Sequence, residues 1–318
     1  MSGEFLARGA TLTFAWFVAM NVAVSALTLA AAAVALREDT KRSAGFWMSL
    51  RLAPSLAAVF FTIVLFAPSY WKLEPRENVE GFDITLTLLA GCGMAVLGAA
   101  IVRGLTAWTT ARRRVRQWMA HARPLNLAST TLPAYAIDAA QPLIALVGMR
   151  RPRLLVTQGL IDALTPAELD AAVAHELGHQ RACDNLKRLA ICSAPDLLTY
   201  FRAARVIEQR WAAAAEHLAD RIGDSAAARC ALASALVKVA RLTPIIPRNR
   251  EPISTLISGG EIASRVQRLL SDDQALPSAR TWRLGALGAF ACLAVAFVYS
   301  PLLHSVHELT ELLVHTLP

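Results

Sequence analysis

The stretch Thr165-Pro166-Ala167-Glu168-Leu169-Asp170-Ala171-Ala172-Val173-Ala174-His175-Glu176-Leu177-Gly178-His179 decides how this chain is read. It begins as a helix begins. Thr165 suits the N-cap, Pro166 suits the first helical position, and Glu168 falls where it can close a capping box with Thr165. On that helix His175 and His179 lie one turn apart on one face, with the Glu176 carboxylate beside them. Two neutral imidazoles at that spacing can reach a single tetrahedral zinc ion, and the intervening glutamate can serve a bound water as general base. The motif also arises by chance in unrelated helices, so the rest of the chain has to support it.

Support comes from Glu216-His217-Leu218-Ala219-Asp220, where a second Ala-rich helical stretch carries Glu and Asp at i and i+4, pointing the same way. Taken alone, such a pair is a solvated acidic face. Downstream of the two histidines it reads as a third ligand, Glu216, with Asp220 accepting the free ring N–H of a ligand histidine and fixing its tautomer. Two His and one Glu around one Zn2+ leave the fourth position for water.

Composition says where this chemistry sits. With 55% hydrophobic side chains in 318 residues and a mean hydropathy of +0.42, the chain is too apolar for an ordinary soluble domain. Ala10 to Leu36, Leu52 to Tyr70, Ile84 to Val102 and Leu284 to Leu303 are each long and apolar enough to cross a hydrocarbon core that needs about 20 helical residues. The first is too long, and lacks the small-residue cleavage pattern, to be a removable signal peptide. Arg37, Lys41, Arg42 and Arg51 follow the first run, and Arg112, Arg113, Arg114 and Arg116 follow the third, whereas Glu74, Glu77, Glu80 and Asp83 outnumber Lys72 and Arg76 after the second. Basic connections stay in the cytoplasm. The expectation is therefore an integral membrane protein of the bacterial inner-membrane type, with its N-terminus outside.

The expected organisation is a three-helix transmembrane region at 1–108 and a cytoplasmic α+β domain at 109–283, inserted before a fourth transmembrane helix at 284–303, with a short extracytoplasmic tail at 304–318. The fold class is thus a mainly α membrane protein. The net charge of +8 lies mostly in the inside segment and suits anionic lipid headgroups better than nucleic acid. Five cysteines, an odd total with no Cys-x-x-Cys pair, imply no disulfide framework, and Cys183 is expected to be a small buried thiol.

Inside the catalytic segment, Tyr135 to Ile137, Pro142 to Val147 and Arg153 to Val156 read as a small antiparallel sheet. Helices follow from Thr165 onward. Thr243 to Glu251, with its prolines, reads as a loop, and Ile262 to Leu270 as a last amphipathic helix. Arg112 to Arg123 reads as a basic extension of the third span lying on the membrane surface.

Leu154-Leu155-Val156-Thr157-Gln158-Gly159-Leu160, Leu164-Thr165-Pro166-Ala167-Glu168-Leu169, the His-Glu-Leu-Gly-His helix followed by Asp184, and Glu216-x-x-Ala219-Asp220-Arg221 together resemble the integral-membrane gluzincin metallopeptidases. The layout of spans is similar to the BlaR/MecR type, with HtpX and CAAX-prenyl-protease-type peptidases as relatives. BlaR/MecR receptors continue past their fourth span into a penicillin-binding sensor that this sequence does not carry, so antibiotic sensing is not expected.

The resemblance implies a zincin-like zinc endopeptidase with His175, His179 and Glu216 as ligands, Glu176 as base and Asp220 behind the ligands. The expected substrate is a cytoplasmic or membrane-proximal protein, with cleavage of a repressor or of the protease itself as a regulatory setting. An HtpX-like quality-control protease and a non-catalytic zinc-containing receptor or scaffold are the alternatives, and the intact Glu176 speaks against the last. The oxyanion donor is left open among His217, Tyr200, Arg221 and Arg265. In the gluzincin pattern a strand before the zinc helix lines the cleft, which implies that Ile144, Ala145, Leu146 and Val147 form a free edge binding substrate by strand addition.

Overall fold

A computed structural model describes residues 3–38, 42–75, 84–149, 151–221, 225–242, 254–255, 262–271, 299–314 and 316. Helix α1 covers Gly3–Arg37. A second rod joins α2 (Ala44–Phe60), a π-helical turn (Phe61–Phe66) and α3 (Ala67–Leu73), and α4 runs over Ile84–Ala120. These three rods, of 35, 30 and 37 residues, are long and apolar enough to cross a membrane. Among their polar side chains, Asn21, Ser25, Thr28, Arg51, Ser55, Thr62 and Ser69 are buried in protein, where polar groups at membrane depth are best placed. Helices α1 and α4 approach closely at Gly93, where a Cβ would come 2.5 Å from the Phe14 carbonyl oxygen. A small residue there lets the backbones meet.

The expected fourth span at Leu284 to Leu303 lies largely outside the described residues. A helix at 299–314, described last below, packs along the first two rods, with Ser69 Oγ donating to Leu303 O at 2.6 Å and Trp16 Nε1 donating to Thr310 Oγ1 at 3.1 Å.

After α4 come β1 (Ala122–Leu125), β2 (Ala134–Ile137), β3 (Ile144–Val147) and β4 (Arg153–Thr157), then α5 (Gln158–Ala163), α6 (Pro166–Arg181) and α7 (Asp184–Cys192). Next are α8 (Arg202–Asp220), α9 (Ala226–Leu242), the two-residue β5 (Ser254–Thr255), α10 (Ile262–Leu270) and the helix at 299–314, α11. The strands form one sheet in the order β1-β2-β4-β3-β5.

Three expectations are corrected here. The sheet is mixed: β3 and β4 form a hairpin through Gly148, at φ 89°, and it is β4 that pairs with β2, so those two strands run parallel. The edge strand β1 was illegible because Ala122-Arg123-Pro124-Leu125 has no apolar alternation, and proline suits an edge where no ladder donor is needed. Second, the basic stretch at Arg112 to Arg123 does not simply lie on a membrane. At about 1.5 Å per residue α4 is far longer than the ~30 Å hydrocarbon core. Its far end covers the sheet, Ala111, Val115, Trp118 and Met119 packing on Ile137, Ala145, Val147 and Leu155. Third, β3 is not a free edge. All four of its residues are buried, and β5 pairs with it through Ala145 and Leu146, opposite Thr255 and Ser254.

The other sheet face carries the catalytic segment's main core, in which Ile144, Leu154 and Val156 meet Ala172 and Val173 of α6 and Leu232, Leu236 and Val239 of α9. A separate core joins this segment to the membrane rods. Ile207, Trp211 and Ala215 of α8 pack with Ala32 and Ala35 of α1 and Trp47 of α2.

The turn between α7 and α8 is seated among all three rods. Asn21 Nδ2 donates to Pro195 O at 3.2 Å, and Arg103 Nη2 donates to Ala194 O at 2.8 Å. Leu197 packs on Phe17, Ala58 and Val96. Arg51, fully buried, donates to Asp196 Oδ2 at 2.8 Å, Glu208 Oε1 at 2.9 Å and Thr199 Oγ1 at 2.9 Å.

Candidate metal centre

Helix α6 starts as its sequence dictates: Thr165 Oγ1 accepts from Glu168 N, and Glu168 Oε2 accepts from Thr165 N at 2.8 Å. With the start fixed, the helical period brings His175 and His179 onto one face. Their rings stand at 88° with centroids 4.8 Å apart, and their Nε2 atoms approach to 3.2 Å. Helix α8 crosses beside α6 and brings Glu216 between them, Oε2 lying 3.4 Å from His175 Nε2 and Oε1 3.6 Å from His179 Nε2. One donor atom from each of the three falls within 4.8 Å of the others, and all three residues are buried.

Each histidine is held from behind. His175 Nδ1 stands 3.0 Å from Asp220 Oδ1, and His179 Nδ1 is 2.7 Å from Asp184 Oδ2. A carboxylate at Nδ1 keeps that nitrogen protonated and turns the Nε2 lone pair toward the common point. Asp184 reaches His179 because the chain turns sharply between α6 and α7 at Cys183, whose φ of 55° is left-handed. That turn leaves the Cys183 side chain exposed, not buried as expected. Asn185 beside Asp184 donates to Leu146 O at 2.9 Å, fixing α7 to β3.

The electrostatics suit a cation. Burial works against charge on Glu216, yet the two histidines and Arg265 hold its carboxyl well below the usual range. Burial also works against charge on His179, but Asp184 and Glu216 raise it to about 10, and Asp220 and Glu216 raise His175 likewise. Four carboxylates thus converge on two imidazoles and one guanidinium. Both oxygens of Glu176 are buried without a hydrogen-bond partner, a costly arrangement unless something polar or of opposite charge completes it. Two imidazole nitrogens and one carboxylate are the donor set of an open zinc site, and the residues fit that ion.

Of the four residues considered as further donors, Arg265 is brought to the ligands. Its Nη1 lies 3.1 Å from Glu216 Oε2, while Nε and Nη2 fork onto Asp220 at 3.0 and 2.6 Å. Tyr200 is 61% exposed and accepts from Arg103 Nη1 at 3.1 Å, away from the centre. His217 is half-buried on α8, about 100° round the helix from Glu216.

Residues 109–251 match the profile of peptidase family M48, a span that contains both histidines, Glu176, Glu216 and Asp220. That segment is similar to peptidase family M48. No curated protein matches the chain. The M48 match and the His175, His179 and Glu216 cluster together make this a membrane-associated zinc metallopeptidase with one Zn2+ site, acting on a protein or peptide substrate.

Proposed function

We propose that the protein is an integral-membrane endopeptidase that cuts a cytoplasmic or membrane-proximal protein, with Glu176 as its general base and Asp220 orienting His175. The observation that carries this reading is the Glu176 carboxylate, fully buried next to the ligand histidines with neither oxygen hydrogen-bonded. A purely structural zinc site has no need of such a group. Bound zinc would polarise the scissile carbonyl and lower the pKa of a water. Glu176 takes the proton from that water and delivers it to the leaving amine. Burial raises the Glu176 carboxyl, against the pull of His179 and His175.

Glu176→Gln separates base from ligand. The purified variant should keep zinc near one equivalent by metal analysis and lose turnover of unfolded casein by at least a hundredfold. Unchanged turnover would end the mechanism.

The substrate side is proposed from charge. Arg37, Arg42 and Arg51 at one end of the rods, with Arg112, Arg113, Arg114 and Arg116 on α4, assign that end to the cytoplasm, and the metal centre lies on the same side. A reporter active only in the cytoplasm should work when inserted within 243–251 and fail within 76–83; the reverse pattern would turn the protein over. Proximity to the bilayer favours substrates delivered along it, and a regulatory protein such as a repressor, or the protease itself, is the reading we favour over general quality control.

A further inference from the structure

We infer that Arg265, from α10, is a positioning residue of the metal centre, holding the third ligand Glu216 and the histidine-orienting Asp220 in register through a single guanidinium. It lies outside the segment that matches the peptidase family, and it rests on the zinc reading above.

Its side chain is enclosed beside α8. The residue is 2% exposed, and its guanidinium spans the two carboxylates of α8, one turn apart, at Glu216 and Asp220. The fork to Asp220 uses two parallel N–H groups, the arrangement for which arginine is suited and lysine is not. Asp220 in turn stands behind His175. The fork fixes the rotamer of Asp220, and with it the oxygen that stands against His175 Nδ1. Arg265 also lies 3.5 Å from His175 Nε2, so it places positive charge close to the metal's ligands. By Coulomb's law alone that charge would weaken zinc binding. The positioning effect opposes it, and the two predict opposite signs on removal of the charge.

The test is zinc affinity of the full chain in detergent micelles, by competition with a chromophoric chelator, beside thermal unfolding of the metal-free protein. Arg265→Met keeps the length of the side chain and removes the charge and the fork. It should weaken zinc about 10–100-fold, the range for losing a group that supports a ligand. Arg265→Lys restores charge without the fork and should recover part of that loss. Arg268→Met, on the same helix, should leave affinity within twofold of wild type.

A merely structural role would lower the melting temperature of the metal-free protein and leave zinc affinity of the folded protein unmoved, which would overturn the inference. So would a rise in affinity, which would mark the guanidinium as simple repulsion. If Arg265→Met does not fold, Arg265→Lys decides, and wild-type affinity in it would overturn the need for the fork. Glu216→Ala separates the two readings: if it keeps zinc, the site itself is wrongly assigned, whereas loss of zinc there with wild-type affinity in Arg265→Met sinks this inference alone.

Discussion

Asp184 shows how much of a metal site is decided one atom behind its ligands. It sits 2.7 Å from His179 Nδ1, and Lys187 Nζ is 3.3 Å from its other oxygen. Replacing it by Asn keeps the shape but offers either an amide or a neutral oxygen where the imidazole needs an anion. Asp184→Asn should weaken zinc about 10–100-fold, read by chelator competition, with little change in the fold. The ligands themselves were legible because i, i+4 histidines and an i, i+4 Glu/Asp pair carry their geometry in their spacing. The partners were less so. Asp184 stood out in the motif without a role, because its use depends on the left-handed turn at Cys183, and Arg265 was one of four possible donors until α10 was placed against α8.

At the scale of elements, α6 was readable from its first residue because the capping box is local. Its consequences are not. Glu168 also accepts from Lys238 Nζ at 2.7 Å and from Ser234 Oγ at 2.6 Å, tying the start of the zinc helix to α9. Burial pushes its carboxyl up, but Lys238, Ser234 and Thr165 outweigh this and bring it from 4.5 down to about 2.

The folded-state value is depressed, so the stabilisation is full above pH 4.5 and is lost as pH falls toward 2. Glu168→Gln keeps the cap but removes the charge. It should cost about 1 kcal/mol at neutral pH, since Lys238 is partly exposed, and the gap to wild type should close across that acid window in denaturant unfolding. The sheet was less legible than the helices. The order of its strands depends on which partner β4 chooses, and β3 looks like an edge until β5, two residues from far along the chain, lies against it.

On the whole-molecule scale the apolar runs gave three rods directly, because a span needs only length and composition. What composition could not show is that the rods and the peptidase share a core. The strongest sign is Arg51, a fully buried cation at the base of α2 whose partners, Asp196 and Glu208, lie on either side of the turn into α8. Stranding such a carboxylate by removing its partner costs about 3–5 kcal/mol.

That seated turn joins α7, which follows the histidine helix α6, to α8, which carries Glu216. The half of the zinc site that carries Glu216 is therefore packed directly on the membrane rods, through Ile207, Trp211 and Ala215. A soluble fragment cut after α4 would keep every ligand and lay bare the face of α8 that α1 and α2 now bury.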